Sequence, residues 1–128
     1  MKALTLVQPW AWMIVYGPKR WENRTWSTTY RGPLIIHAGN SRRMMEDAYG
    51  DPTLARFLPC PSELVFSALI GIVELTRIES IQKLTGEPFA EGPWCWRLDR
   101  PIPLSHPVPM RGGRRLWNVL DGIVAPGP

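Results

Sequence analysis

A short segment near the N-terminus concentrates side chains that can do chemistry. It carries amide, indole, ammonium, carboxylate, guanidinium and phenol groups on Gln8, Trp10, Lys19, Glu22, Arg24, Tyr30 and Arg31, with Pro9 and Gly17 between them. A basic zone begins in this segment at Lys19 and ends at Arg43. It contains six basic residues and a single acidic residue, Glu22. If these charges meet in space, their field and the release of counterions would attract a polyanion.

A second basic zone lies near the C-terminus, and an acidic stretch separates the two. Between Arg97 and Arg115, five arginines stand against Asp99, whereas residues 44–91 contain eight acids and three bases. The basic zones either form one positive face or remain separate solvated surfaces. Charge alone leaves both arrangements open.

The first basic zone is predicted to begin with a strand, whose alternate side chains point to opposite faces. Over residues 19–24 the even-numbered side chains would share one face, which places Arg20 beside Glu22 and Arg24. Glu22 would then brace Arg24, or Lys19 if the strand starts with a turn. Such an ion pair could also be purely structural and fix the wall of a cleft.

The elements around this segment are short. A strand at 2–7 leads into a helix that Pro9 can start and that Gly17 ends. Later strands are predicted at 20–26, 34–38, 65–81, 94–98 and 116–120, with an edge strand or extended loop at the proline-rich 101–109. Further helices are predicted at 42–49, capped by residues 39–41, and at 53–58. Because strands and helices do not alternate regularly, we expect a mainly β, α+β fold, a small mixed β-barrel with two to three short helices.

Length and composition predict one folded domain. The chain has 128 residues, 45% of them hydrophobic, with 14 prolines and 11 glycines, which allows one modest core and few long helices. We expect a domain over residues 1–124 and a frayed tail at 125–128. Gly71 lies inside the longest β-branched run and predicts a bulge or a bend of the barrel there.

Targeting signals and cysteine usage narrow the class of protein further. No apolar run is long enough to cross a membrane, and the N-terminus lacks a signal-peptide pattern, so we expect a cytoplasmic protein without a membrane partner. Cys60 and Cys95 are too few for a disulfide scaffold and lack metal-ligand spacing. We therefore expect reduced thiols, no metal and no cofactor.

The order of the motifs resembles the ASCH domain family, whereas the P-loop, GxGxxG and HExxH signatures are absent. A strand, Gln-Pro-Trp-Ala and a short helix precede the pattern GxKxxExR at residues 17–24, which is the signature of that family. Tyr30-Arg31-Gly32, the strand at 70–75 and Trp94-Cys95-Trp96 continue the resemblance over nearly the whole chain.

This resemblance implies a barrel similar to the PUA domain, with a positive cleft that binds RNA, or alternatively DNA or a modified nucleoside. The lysine and arginines of the site would hold phosphates, Trp10 or Tyr30 would stack on a base, and Gln8 would contact a base edge. The residues expected to form the nucleic-acid site are Gln8, Pro9, Trp10, Gly17, Lys19, Glu22, Arg24, Tyr30, Arg31 and His37.

An enzymatic alternative comes from the same resemblance. Some small bacterial relatives hydrolyse the amide of N4-acetylcytidine with the motif lysine, a threonine three residues later and a glutamate on the core strand. Here the catalytic set would be Lys19, Glu22 and Glu74, with Glu22 in place of the threonine. Held near these two carboxylates, Lys19 would stay charged, which favours anion binding over attack as a neutral amine. Metal-assisted ribonuclease activity, as in another subset of the family, is a further alternative.

Two other interpretations remain open. His37 ends an apolar strand, where a structural histidine with satisfied hydrogen bonds competes with a role in the site. The domain could also contact a protein in a transcription or RNA-processing complex, in which case the acidic stretch from Glu46 to Glu91 would be the working surface.

Overall fold

The structure is a computed structural model that describes residues 1–124. Its six strands form one curled sheet. The strands are β1 (Lys2–Leu6), β2 (Trp21–Arg24), β3 (Gly32–Ala38), β4 (Ala68–Ser80), β5 (Trp94–Pro109) and β6 (Leu116–Asn118). The helices are α1 (Trp10–Val15), α2 (Met45–Gly50) and α3 (Pro52–Ala55), with 3-10 turns at Pro61–Glu63 and Ile81–Lys83. The tail expected at 125–128 lies outside the described residues.

The strand order is β2-β5-β4-β3-β1-β6. Only the pair β1 and β3 is parallel, and the chain between these strands crosses over through α1 and β2. The other neighbouring pairs are antiparallel. This curled half-barrel with three short helices confirms the predicted α+β, PUA-like barrel.

Strand β3 lies at the centre of the core because both of its faces are covered. Leu34 and Ile36 pack on one side with Ile14 of α1, whereas Ile35 packs on the other side with Leu69. All five side chains are fully buried. A strand covered on both faces needs a nearly continuous apolar sequence, as residues 34–38 have.

Gly71 marks the predicted bulge in β4. The pairing register of β4 with β5 shifts between Leu69 and Gly71, as does that of β4 with β3 nearby. A Cβ at Gly71 would lie 2.7 Å from both γ-carbons of Val15. The glycine therefore lets helix α1 sit directly on the sheet, where its buried side chains join the main core.

Several predicted boundaries are wrong. The strand at 94–98 and the extended segment at 101–109 form one strand, β5, because β4 pairs with both along its length. Helix α2 begins at Met45 rather than residue 42, without a side-chain cap, and the Ser41 hydroxyl accepts only the Arg43 N–H, at 3.3 Å.

Arg20 directly precedes β2, and its side chain contacts backbone carbonyls rather than the charged pair of β2. The Leu98 N–H donates to the Arg20 carbonyl at 2.9 Å, so the pairing with β5 continues one residue before Trp21. The Arg20 guanidinium instead donates to the carbonyls of Ile14 at 2.6 Å, Gly17 at 2.9 Å and Leu98 at 3.2 Å. It therefore fastens the end of α1 to β5 and does not join Glu22 and Arg24.

Candidate functional site

A cleft of about 340 Å³ opens between the end of β1, the start of α1, strand β2 and the α2/α3 segment. Its volume is in the usual range for small-molecule sites, about 300–1,000 Å³. Polar and apolar side chains share its wall, and the lining residues are Thr5, Val7, Trp10, Lys19, Glu22, Asn23, Arg24, Arg43, Met44, Leu54, Phe89 and Glu91.

The turn after α1 aims Lys19 into this cleft. The backbone N–H groups of Gly17 and Lys19 both donate to the Met13 carbonyl, at 3.1 and 3.2 Å. A Cβ at Gly17 would lie 2.9 Å from that same oxygen, so the tight turn requires glycine. The spacing between Gly17 and Lys19 in the motif thus follows from the geometry of the helix end.

Lys19 lies almost fully buried in the cleft, with 4% of its surface exposed. Its Nζ donates to the Trp21 carbonyl and lies 4.0 Å from Glu22 Oε1. Burial lowers the pKa of Lys19 from its ordinary value, and the carboxylates of Glu22 and Glu91 oppose that shift. Removal from water is therefore a larger effect on the Lys19 pKa than the nearby carboxylates.

Glu22 lies near both motif cations, whereas the sequence predicted a contact with Arg24 or, alternatively, with Lys19. Its Oε2 lies 3.2 Å from Arg24 Nη2, and its Oε1 faces Lys19. Arg24 Nη2 also donates to the Thr5 carbonyl at 2.7 Å, whereas its buried Nε has no hydrogen-bond partner. Glu22 and Arg24 thus serve as the structural ion pair in the wall of the cleft and also present charge to it.

Two aromatic rings stand beside the buried ammonium. Lys19 Nζ lies 5.7 Å from the ring centroid of Trp10 and 5.6 Å from that of Phe89, both within the range of a cation–π contact. Trp10 is contributed by the start of α1 and Phe89 by the loop before β5. A cation flanked by two rings is suited to a flat ligand with negative or electron-rich edges.

Asn23 positions the Phe89 loop. Its Nδ2 donates to the Phe89 carbonyl at 3.0 Å, and its Oδ1 accepts the N–H groups of Glu91 at 2.8 Å and Gly92 at 2.9 Å. Phe89 and Glu91 were not predicted, because the loop at 84–93 has no periodicity or motif. Asn23 lies within the GxKxxExR segment, but at one of its unspecified positions, so the motif did not indicate it either.

Apolar residues and one arginine complete the rim. Met44 and Leu54 come from the α2/α3 segment, and Arg43 precedes it with an exposed side chain. The sequence placed Arg43 at the end of the first basic zone and predicted helices at 42–49 and 53–58, but none of these residues was assigned to the site. The contribution of Arg43 could be seen only after the segment was folded over the cleft.

A family model described as the ASCH domain matches residues 4–102 of this chain, which include the motif residues of the cleft. The chain belongs to the ASCH domain family. Activating signal cointegrator 1 of Homo sapiens and that of Mus musculus are each 28% identical to it over 135 aligned residues, which cover 97% of this chain. The chain spans 23% of the length of each relative. ASCH domains form a PUA-like family often linked to RNA binding.

Gln8 and Pro9 serve the fold of this ASCH domain. The Gln8 Oε1 accepts the Trp12 N–H, and its Nε2 donates to the Val65 carbonyl, both at 2.9 Å. Gln8 is 1% exposed and lies outside the cleft, with both ends of its amide engaged. Pro9 is the N-cap residue of α1. The Gln8 amide is therefore not free to make the expected contact with a base edge.

Tyr30 and Arg31 are not brought into the cleft either. The Tyr30 hydroxyl donates to the Pro33 carbonyl, and its ring packs against the main core. The Arg31 guanidinium folds back onto its own loop, where it donates to the carbonyls of Thr28 at 2.7 Å and Tyr30 at 2.8 Å. In the cleft, Phe89 supplies the aromatic ring that was expected from Tyr30. Arg43 supplies the guanidinium group that was expected from Arg31.

His37 and Glu74 also lie apart from the cleft lining. His37 is 2% exposed, with its ring nitrogens 3.1 Å from Thr5 Oγ1 and 2.7 Å from the Met110 carbonyl oxygen. Burial raises the pKa of Tyr30, and the nearby Glu74 carboxylate raises it further. Glu74 therefore faces Tyr30 and is not among the groups that perturb Lys19.

Among residues 1–124, no helix is long and apolar enough to span a bilayer. The same residues contain no group of three or more His, Cys, Asp or Glu side chains placed to hold a metal ion.

Proposed function

We propose that this ASCH domain binds single-stranded RNA by taking one base into its cleft. The observation that carries the proposal is the buried Lys19 ammonium flanked by the rings of Trp10 and Phe89. Stacking on aromatic rings is how proteins hold unpaired bases, and a nearby cation adds attraction for oxygen-rich base edges and phosphates.

The remaining walls suit the same ligand. Val7, Met44 and Leu54 offer apolar surface to the ribose or base, and Arg43 stands at the exposed rim, where a phosphate would pass. A cleft of about 340 Å³ accommodates a single nucleoside rather than a duplex. This size favours an unpaired strand, whose bases can turn outward into the protein.

Fluorescence anisotropy with a labelled single-stranded RNA, measured over a range of salt concentrations, tests this function. Arg43→Ala should lower affinity and reduce the salt slope by about 0.7, the value for one lost phosphate contact on a single strand. Arg100→Ala removes an equally exposed charge outside the cleft and should match the parent. Equal behaviour of the two variants would refute binding in the cleft. The same titration with single-stranded DNA decides between the two nucleic acids.

A hydrolytic activity on an acylated nucleoside is the second candidate function. The observation that favours it is the burial of Lys19, which lowers its pKa and so raises the fraction of the neutral amine, the form that can act as a nucleophile. The carboxylates that act on Lys19 are those of Glu22 and Glu91, and Glu74 is not among them. Loss of the acetyl group from N4-acetylcytidine in the presence of the protein, abolished by Lys19→Met, would establish this activity.

Protein contacts form the third candidate. The relatives are named as cointegrators of activating signals, which motivates a test for protein partners of this chain. The acidic residues between Glu46 and Glu91 would supply that surface. A partner retained by the Lys19→Met variant, together with no RNA binding by the parent, would favour this function.

A cytoplasmic location also stays a prediction from the sequence.

A further inference from the structure

The loop between β5 and β6 presents three exposed arginines, and we name residues 110–115 the arginine loop. Its charged members are Arg111, Arg114 and Arg115. Arg115 lies 4.8 Å from the ring of Trp26. Arg111 and Arg114 form no hydrogen bond, ion pair or ring contact with any residue from 1 to 124. Two unneutralised guanidinium groups are therefore free to meet an outside anion.

This loop is fastened at its start by buried groups. The Met110 N–H donates to the Ser67 carbonyl at 3.0 Å, and the Met110 carbonyl oxygen lies 2.7 Å from Nε2 of the buried His37. An ordinary solvated loop needs no such anchor. Held in this way, Arg111 loses less conformational freedom when a ligand binds, which favours affinity.

The loop then runs directly beside the wall of the cleft. A Cβ at Gly112 would lie 2.6 Å from Thr5 Oγ1 and 3.0 Å from His37 Nδ1, so only glycine lets the backbone approach so closely. Thr5 itself lines the cleft, and its carbonyl accepts the hydrogen bond from Arg24. The arginine loop, which ends the second basic zone, thus passes close to Thr5 in the wall of the cleft.

We propose that the arginine loop holds the phosphodiester backbone of the same RNA strand whose base enters the cleft. This inference rests on the proposed function and extends it from one nucleotide to several. Guanidinium groups suit the role because they bind phosphate oxygens through two parallel N–H bonds. The aromatic cleft next to the loop favours a nucleic acid over an acidic peptide. A base can stack on the aromatic rings, whereas the carboxylate side chains of a peptide do not stack.

The test compares two ligand lengths on an Arg111→Ala/Arg114→Ala double variant. With a single-stranded RNA of about twelve nucleotides, affinity should fall about tenfold or more at low salt and the salt slope should fall by about 1.4, for two lost phosphate contacts. With a dinucleotide, which fills only the cleft, affinity should stay unchanged. Lys83→Ala/Arg100→Ala removes the same charge from two exposed residues outside the cleft and the loop, and should match the parent with both ligands.

Each outcome decides a definite point. Equal affinity of the double variant and the parent for the long RNA would overturn the role of the loop and leave cleft binding standing. An equal loss for both control and test variants would also overturn it, because the effect would then be one of net charge. No RNA binding by the parent would overturn the proposed function and this inference together.

Discussion

Arg24 donates a hydrogen bond to the Thr5 carbonyl at 2.7 Å, across the seam of the curled sheet. Strand β2 forms one edge of the sheet, whereas β1 lies next to the opposite edge, so no ladder of backbone bonds connects them. The motif arginine therefore brings the two sides of the half-barrel together, and the cleft forms where they meet.

Arg24→Ala should destabilise the fold as well as weaken binding. The variant loses a charge-assisted hydrogen bond to Thr5 and leaves the half-buried Glu22 with Lys19 as its remaining ion-pair partner, so we expect a loss of about 2 kcal/mol in urea unfolding. Arg31→Ala is the matched control, because its guanidinium contacts only nearby loop carbonyls, and it should change stability by less than about 0.5 kcal/mol. Equal stability of the two variants would show that the seam does not depend on Arg24.

Lys19 should make the stability of the domain rise with pH. Its pKa in the folded state is lowered by burial, below the ordinary 10.5 of the unfolded chain. Between these two values the unfolded state binds more protons, so the free energy of unfolding increases with pH and the increase ends near 10.5. Urea unfolding of the parent and of Lys19→Met across the alkaline range isolates this contribution as their difference. A difference that is flat or that falls with rising pH would contradict the burial of the charged amine.

Gly71→Ala should lower stability through a steric clash between α1 and the sheet. The added methyl group would lie 2.7 Å from Val15, and overpacking of this kind costs about 1–3 kcal/mol. Gly50→Ala is the control, since a Cβ there meets nothing within 4 Å. Thermal unfolding of both variants measures the effect, and a Gly71→Ala protein as stable as Gly50→Ala would mean that α1 does not rest on β4.

Phe89→Ala should weaken binding of single-stranded RNA without unfolding the domain. One lost stacking partner corresponds to about 1–3 kcal/mol of binding free energy, a reduction in affinity of about fivefold or more. Phe57→Ala removes the same ring from an exposed position outside the cleft lining and should bind like the parent. Anisotropy titrations supply both affinities. The stacking model fails if the two phenylalanine variants bind RNA equally well.

Local sequence signals predicted the strands, the helix at Trp10 and the positions of Gly17, Lys19, Glu22 and Arg24, because each depends on spacing of a few residues. Contacts between distant segments were out of reach. His37 is fixed by Met110, 73 residues away, and Asn23 by Phe89, 66 residues away. The same limit explains why Tyr30 and Arg31 were chosen over Phe89 and Arg43, which come close to Lys19 only through tertiary folding.

The most direct test of the central claim is a ¹H–¹⁵N spectrum of the indole N–H groups during titration with short single-stranded RNA. Trp10 lies in the cleft, whereas Trp12 stacks on Tyr16 outside the cleft lining. We predict that the Trp10 signal shifts progressively and that the Trp12 signal stays in place. A titration that moves Trp12 and leaves Trp10 unchanged would contradict binding in the cleft.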